Sequence, residues 1–307
     1  MVLSLSALAL LKTLPGAFAQ GMIWGIMALG VYITYKILNF ADLTVDGTLA
    51  TGGAVAVMCI TSGIPTPLAL IISCLSGMLA GLATGFLHTT LGIPDILAGI
   101  LSQIALYSIN LNIMGCSNVA VSVDQYPLVI SLRYIPKTIA TIAIFLVIII
   151  AVLYWFFGTE LGFTIRSTGC NPNMSRAQGV NTNKAKLAAL IISNGLVGLC
   201  GGLYAQYQGN ADVNMGRGAI VIGLAAVIIG MVLAESLFGK KLNFIGRMAF
   251  VILGAVIYYV VITFVLWLGL PSEDMKLFSA IVVAVFLAVP YVRGKQKSSF
   301  RKAGGAK

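Results

Sequence analysis

Long apolar runs separated by short polar segments dominate the hydropathy pattern of the chain. Residues 139–157 and 187–211 contain no charged side chain, and similar runs recur along most of the sequence. A helix needs about 20 apolar residues to cross a bilayer, which is the length of these runs. The runs are continuous, whereas β-barrel strands would alternate. The pattern therefore predicts an all-α polytopic membrane protein, with about eight or nine transmembrane helices in one domain.

The first 16 residues differ from the predicted spans. Their apolar stretch, residues 2–11, is too short to cross a bilayer, so we expect an interfacial helix on the outer face.

Gly77, Gly81 and Gly85 form a small-residue stripe, which indicates either a close-packing helix face or a channel wall. The predicted spans are 20–38, a helix ending near 61, 68–87, a helix opening at 94, a helix ending at 157, 187–208, 218–237, 248–272 and 277–292, and the sequence leaves open whether 218–237 is broken or re-entrant.

One polar and basic segment, residues 160–186, interrupts the apolar pattern. Asn171 suits the N-cap of a helix, Pro172 its first position, and Gly179 the left-handed position that ends it. These signals predict a short helix over residues 172–178, about 10 Å long. Arg166, Arg176 and two lysines make the segment basic, as cytoplasmic loops are. The helix is either a docking element for a soluble partner or a solvated connector.

Charge is scarce and unevenly distributed. Hydrophobic residues make up 59% of the chain and charged residues 9%, and the net charge is +10. Of the 19 Lys and Arg residues, 14 fall on the predicted inner side, including six in the tail 293–307. This bias predicts an outside N-terminus and a cytoplasmic C-terminus. The expected location of the chain is the cell inner membrane. The tail can contact anionic lipid, and the charge does not indicate nucleic-acid binding.

Signals for catalysis or metal binding are lacking in the sequence. The five cysteines form no CxxC pair, and His88 is the only histidine. No P-loop or dinucleotide fingerprint is present. We therefore expect no metal site, no cofactor and no enzymatic activity in this chain.

Polar residues within or next to the apolar runs are candidates for a solute pathway or gate. Gln103, Tyr107 and Asn110 share one face of the fourth span, because they are spaced four and three residues apart. Hydrogen bonding between helices is the alternative for these residues and for the sixth-span amides. The acids near residue 42 either cap the second helix or belong to the pathway. The remaining candidates are Asn39, Asp42, Asp46, Gly47, Asn194 and Gln206.

Two segments resemble ABC importer permeases of the branched-chain amino acid and ribose type. The pattern Arg166-x-x-Gly169-x-Asn171-Pro172, followed by Gly179-Val180, is similar to their coupling-helix loop, which the ATPase subunit grips. The chain departs from the family at Met174-Ser175, where two small residues are usual and Met174 is bulkier. The resemblance implies ATPase-coupling roles for Arg166, Gly169, Asn171, Pro172, Arg176, Gly179 and Val180.

The second segment follows the first span. Residues 39–42, Asn-Phe-Ala-Asp, resemble the branched-chain amino acid permeases, and residues 42–47 are similar to a sugar-permease motif with an additional acid. The chain most resembles the tryptophan/tyrosine-type branch of amino-acid importers. This implies import of a small polar solute, such as an aromatic amino acid. It also implies ATP-binding subunits that hold ATP and magnesium, a second permease copy and an extracytoplasmic binding protein.

Two other functions compete with this interpretation. An ion-coupled secondary transporter would bury ionisable residues at mid-membrane depth, whereas the acids here fall at predicted span ends. A membrane anchor for partner proteins would fit the basic loop but not the polar faces of the fourth and sixth spans.

Overall fold

The computed structural model describes residues 7–239 and 242–267, and beyond them only residues 277, 280, 281, 283–285 and 288. A helical bundle with a two-stranded antiparallel ribbon forms this part of the chain. The elements are α1 (Ala7–Val31), a π-helix (Tyr32–Leu38), α2 (Thr44–Thr61), α3 (Thr66–Thr89), α4 (Asp95–Met114), β1 (Asn118–Ala120), a 3-10 helix (Leu132–Tyr134), α5 (Ile135–Phe157), α6 (Glu160–Cys170), α7 (Pro172–Ala177), α8 (Thr182–Gln208), β2 (Asn210–Asp212), α9 (Ala219–Phe238) and α10 (Phe244–Trp267).

Within the described residues, eight helical segments are long and apolar enough to cross a membrane. The prediction of an all-α polytopic membrane protein is therefore confirmed. The ninth predicted span, residues 277–292, lies largely outside the described residues, and the basic tail 293–307 lies wholly outside them.

The first helix differs from the sequence-based boundary. We expected a separate helix over the first 16 residues, but α1 begins at Ala7 and continues through Pro15 to Val31. Proline removes one backbone donor from a helix, and transmembrane helices tolerate this where neighbouring groups compensate. Residues 7–16 are therefore continuous with the first span. Their position on the membrane surface stays a prediction.

α8 lies at the centre of the bundle, and small residues allow α2 and α3 to approach it closely. A Cβ atom at Gly77 or Gly81 of α3 would overlap the Asn194 or Leu190 carbonyl oxygen of α8. The Ser73 hydroxyl donates to the Gly198 carbonyl across the same interface, at 2.7 Å. Close backbone approach is how membrane helices gain packing energy without a hydrophobic driving force. The predicted close-packing stripe is confirmed.

The two segments that connect helices at the end of the bundle opposite α7 are joined to each other. β1 pairs with β2 in antiparallel register, with Asn118 opposite Asp212. The Val129 N–H donates to the Gln206 side-chain oxygen at 3.1 Å, which ties the segment before α5 to the end of α8. These long-range contacts were invisible in the hydropathy pattern.

The π-helix marks the exit of the first span. Its last turn ends at Asn39, which adopts a left-handed conformation (φ 57°). Asparagine tolerates this region better than most residues, so Asn39 allows the chain to turn towards α2. Asn39 is exposed at this turn, while the following Phe40 and Asp42 are buried.

Candidate functional site

The predicted short helix is present as α7. The Asn171 side-chain oxygen accepts hydrogen bonds from the N–H groups of Asn173 (3.1 Å) and Met174 (3.0 Å). Pro172 occupies the first turn, and Gly179 adopts the left-handed conformation (φ 82°) beyond the helix end. The capping predictions are confirmed, and α7 ends at Ala177, one residue earlier than expected.

α7 projects from the bundle with almost its whole surface free. Ser175 is the one buried residue of the helix, and its hydroxyl donates to the Asn171 carbonyl at 3.0 Å. Met174 is 60% exposed. Of the two residues that depart from the family pattern, the small one therefore faces inward and the bulky one faces outward. Val180 is half-buried, and its N–H closes the turn on the Ser175 carbonyl.

Three of the predicted coupling residues make contacts with the bundle. The Arg166 guanidinium carbon lies 4.4 Å from the Phe244 ring centroid and 5.3 Å from that of Phe157, distances typical of cation–π contacts. At Gly169, a Cβ atom would overlap the Ile37 carbonyl oxygen of the π-helix. The Arg176 Nε donates to the Thr182 hydroxyl at 2.9 Å. α6 therefore connects α7 mechanically to the first span and to α10.

Asp42 and Asn194, from distant parts of the chain, meet in a buried network. The Asn194 Nδ2 donates to the Asp42 carboxylate at 2.7 Å, and the Thr48 hydroxyl donates to the Asn194 Oδ1 at 2.7 Å. The second Asp42 oxygen accepts from the Thr44 N–H at 3.0 Å, at the start of α2. Burial raises the pKa of Asp42, and the hydrogen bonds from Thr44 and Asn194 partly offset that rise.

Asp46 holds the start of a different helix. Its carboxylate accepts the N–H groups of Gly218 (2.9 Å) and Ile220 (2.8 Å) at the N-terminus of α9. A negative charge is favourable at this position, because the helix dipole and free N–H groups both face it. The expected alternatives were a cap on α2 or a pathway role, and the observed cap is on α9. α9 is continuous from Ala219 to Phe238, so the helix is not broken within this range.

A polar cavity of about 250 Å³ brings together five of the nine predicted pathway residues. The Asn110 side chain is fully buried there, and among the described residues neither its oxygen nor its nitrogen has a hydrogen-bond partner. Buried polar groups are normally satisfied, so this amide retains unused hydrogen-bonding capacity at the cavity wall. The cavity residues are Asp46, Gly47, Gln103, Ile104, Tyr107, Ser108, Asn110, Val213 and Arg217.

The remaining candidates lie elsewhere. Asn39 is at the turn after the π-helix, Asp42 and Asn194 form the buried network, and Gln206 binds the segment before α5 through its oxygen. For Asn194, interhelical bonding, the alternative interpretation, describes the contact with Thr48 of α2, whereas Gln206 bonds to a connecting segment. Sequence reasoning missed Arg217, which was counted only as an external charge. The sequence signal that could have identified Arg217 is its position directly before Gly218, the residue that precedes α9.

These features define a multi-pass helical membrane protein with polar groups enclosed in its bundle and an exposed capped helix at one end. The chain belongs to the family described as branched-chain amino acid transport system / permease component, whose model matches residues 14–290. The resemblance proposed from the two short segments is therefore confirmed.

Similarity to individual proteins extends over most of the chain. A tyrosine transport system permease protein of Clostridioides difficile (strain R20291) is 42% identical over 269 residues, which cover 88% of each chain. A galactofuranose transporter permease of Escherichia coli (strain K12) is 25% identical over 252 residues, 81% of this chain and 71% of its own. A fructose import permease of Bifidobacterium longum (strain NCC 2705) is 26% identical over 248 residues, which cover 80% of this chain and 68% of that permease. No solved structure matches the chain.

Proposed function

We propose that this chain is the membrane-spanning subunit of an ABC importer that carries an amino acid, driven by separate ATPase subunits. ATP and magnesium are held by those subunits, and this chain supplies neither a cofactor site nor enzymatic activity. The full assembly contains two ATPase subunits, a second copy of this chain and an extracytoplasmic binding protein. It lies in the inner membrane in contact with lipid, with the N-terminus outside and the C-terminus in the cytoplasm.

The observation that supports ATPase coupling is the exposure of α7. α7 has six residues, is capped at its start and buries only Ser175, so packing against the bundle contributes little to its stability. Its free face, with Met174 at its centre, suits a groove on a soluble partner. The helix is rigidly attached nonetheless, because α6 packs against the π-helix at Gly169 and against Phe244 at Arg166.

This attachment suggests how ATP-driven motion reaches the membrane. A displacement of α7 moves α6, then the end of the π-helix, then the turn that leads to Asp42 and its partner Asn194. ATP binding would select one of two packings of these elements, as a shift between populations. The interior network and the polar cavity lie beyond this turn, where a change in packing would open or close the solute pathway.

Similarity supports an amino acid as the solute. The relative named for tyrosine transport is 42% identical, whereas the two sugar permeases are 25% and 26% identical. The polar cavity is small, about 250 Å³, and presents amide, phenol and cationic groups that suit a zwitterion. An aromatic amino acid is therefore the proposed solute.

The α7 surface provides the test of ATPase coupling. Met174→Glu puts a charge on the exposed face without touching the bundle, and Met174→Leu is the matched control that keeps an apolar side chain. We expect Met174→Glu to abolish co-purification of the ATP-binding subunit and ATP-dependent L-tyrosine uptake in proteoliposomes. Met174→Leu should retain both. Full uptake by Met174→Glu would overturn the coupling role.

An ion-coupled secondary transporter is the competing function, and the same proteoliposomes distinguish it. Purified chain without any ATPase should not accumulate L-tyrosine under an imposed proton or sodium gradient. Accumulation under such a gradient would favour the secondary transporter over the importer subunit.

A further inference from the structure

A second cavity, lined by aromatic side chains, lies between α1, α8, α9 and α10. Its volume is about 540 Å³, within the range of roughly 300–1,000 Å³ usual for sites that bind small molecules. Trp24 of α1, Tyr204 of α8 and Tyr259 of α10 line one side. Val221 and Ile222 of α9 line another. None of these residues was selected from the sequence as a pathway candidate.

The aromatic residues form a connected cluster with Trp24 at its centre. The Trp24 ring is edge-on to Tyr204, with centroids 5.3 Å apart, and tilted against Tyr259 at 5.7 Å. Both geometries lie in the favourable range for aromatic pairs. Tyr204 is held further by a hydrogen bond from the Gln208 side chain to its hydroxyl, at 2.7 Å. The wall of the cavity is therefore rigid and suited to another planar ring.

Trp24 also carries an unused donor. The side chain is only 4% exposed, yet no described residue accepts a hydrogen bond from its indole N–H. Buried indole N–H groups usually find a partner, because leaving one unpaired in an apolar environment is costly. This donor therefore points to a ligand with a polar group near the ring wall.

Arg217 places a cation at the boundary of this cavity and the polar one. It lines both, and no carboxylate in the described part of the chain forms a salt bridge with it. A guanidinium group binds a carboxylate in a fork-like geometry. Gln20, which also lines the aromatic cavity, adds an amide that can accept from an ammonium group.

We propose that this cavity binds the aromatic amino acid in transit, with its ring against Trp24, Tyr204 and Tyr259 and its carboxylate on Arg217. The inference rests on the proposed function and extends it, since the permease itself, and not only a binding protein, would recognise the solute. An aliphatic amino acid would lack the ring contacts and bind more weakly. A sugar would lack the carboxylate as well.

Direct binding to the purified full-length chain in lipid nanodiscs tests the site. Isothermal titration with L-tyrosine should show saturable binding, and L-leucine should bind at least about tenfold more weakly, as expected for the loss of ring stacking. Trp24→Leu and Arg217→Gln should each weaken L-tyrosine binding by about tenfold or more. The matched controls are Trp155→Leu, an exposed side chain of α5, and Arg133→Gln, in an exposed ion pair, and both should bind normally.

The outcomes separate this inference from the proposed function. No saturable L-tyrosine binding, or normal binding by both Trp24→Leu and Arg217→Gln, overturns the site. If these variants still support ATP-dependent uptake at the normal rate, the importer function stands and only the site fails. Equal affinity for L-leucine and L-tyrosine also overturns the aromatic selectivity. Thermal unfolding of each variant shows whether a lost signal reflects misfolding, and rescue of binding by Trp24→Phe confirms the ring contact.

Discussion

α7 and the polar interior of the bundle are stabilised in opposite ways. α7 depends on neighbours in sequence, since Asn171 caps it and Gly179 follows its end, and nearly all of its surface is free. The interior depends on partners far along the chain, such as Asp42 with Asn194 and Asp46 with the start of α9. A surface that meets a partner has to remain exposed, whereas groups that line a pathway have to be held by packing. Substitutions in the interior should therefore change the stability of the whole bundle, whereas substitutions in α7 should change only the helix itself.

The largest effect is expected at Asp46, because its carboxylate accepts two backbone hydrogen bonds across the bundle. Asp46→Ala leaves the Gly218 and Ile220 N–H groups without their acceptor. Bonds to a charged group contribute roughly 1.5–3 kcal/mol each, so we expect the loss of two to cost roughly 3–6 kcal/mol. Thermal unfolding in detergent measures the loss.

Asp46→Asn is the matched control, since it keeps one acceptor oxygen and should lose less stability than Asp46→Ala. Equal stability of Asp46→Ala and the unmodified chain would mean that the start of α9 does not depend on this carboxylate, and the comparison of the two regions would lose its strongest interior example.

A smaller and local effect is expected at Asn171. Asn171→Ala removes the cap of α7 and should cost about 1 kcal/mol, the usual value for an N-cap side chain. Because α7 buries little, we expect faster hydrogen exchange at the Asn173 and Met174 amides with no change in the unfolding temperature of the bundle.

Asn173→Ala is the matched control for this local effect, since Asn173 is exposed and adjacent to the cap. A fall in the unfolding temperature of the whole bundle on Asn171→Ala would show that α7 is not locally independent.

The last effect concerns pH. Burial raises the pKa of Asp42, so the folded protein binds this proton at a higher pH than the unfolded chain. Stability from this group is therefore greatest below the ordinary aspartate pKa of about 3.9 and falls as pH rises through the raised folded-state pKa. The hydrogen bonds from Thr44 and Asn194 oppose this rise, and the burial of the carboxyl outweighs them.

Unfolding temperatures measured at a series of pH values for the unmodified chain and Asp42→Asn check this prediction. The difference in unfolding temperature between the unmodified chain and Asp42→Asn should shrink as the pH increases above about 3.9. An advantage that grows with pH would contradict the raised pKa and indicate a stabilised carboxylate.

Local signals were enough for the helices and the caps, because those depend on neighbouring residues. Pro172 and Gly179 delimit α7 almost where expected, and the apolar runs correspond to the eight candidate spans. The limits of local reasoning appear at Arg166, whose predicted coupling role gave no indication of its contact with the Phe244 ring. They appear again at Pro15, where a predicted boundary is the interior of a helix.

The sequence by itself determined that this chain is a bundle of apolar helices with a basic capped helix between two of them, because hydropathy and capping act over a few residues. Only the tertiary structure decided which polar side chains meet. Gln103, Tyr107 and Asn110 were expected to share a face, but their cavity is completed by Asp46 and Arg217 from other segments. Such contacts depend on how helices pack across the whole bundle, and no local pattern records that arrangement.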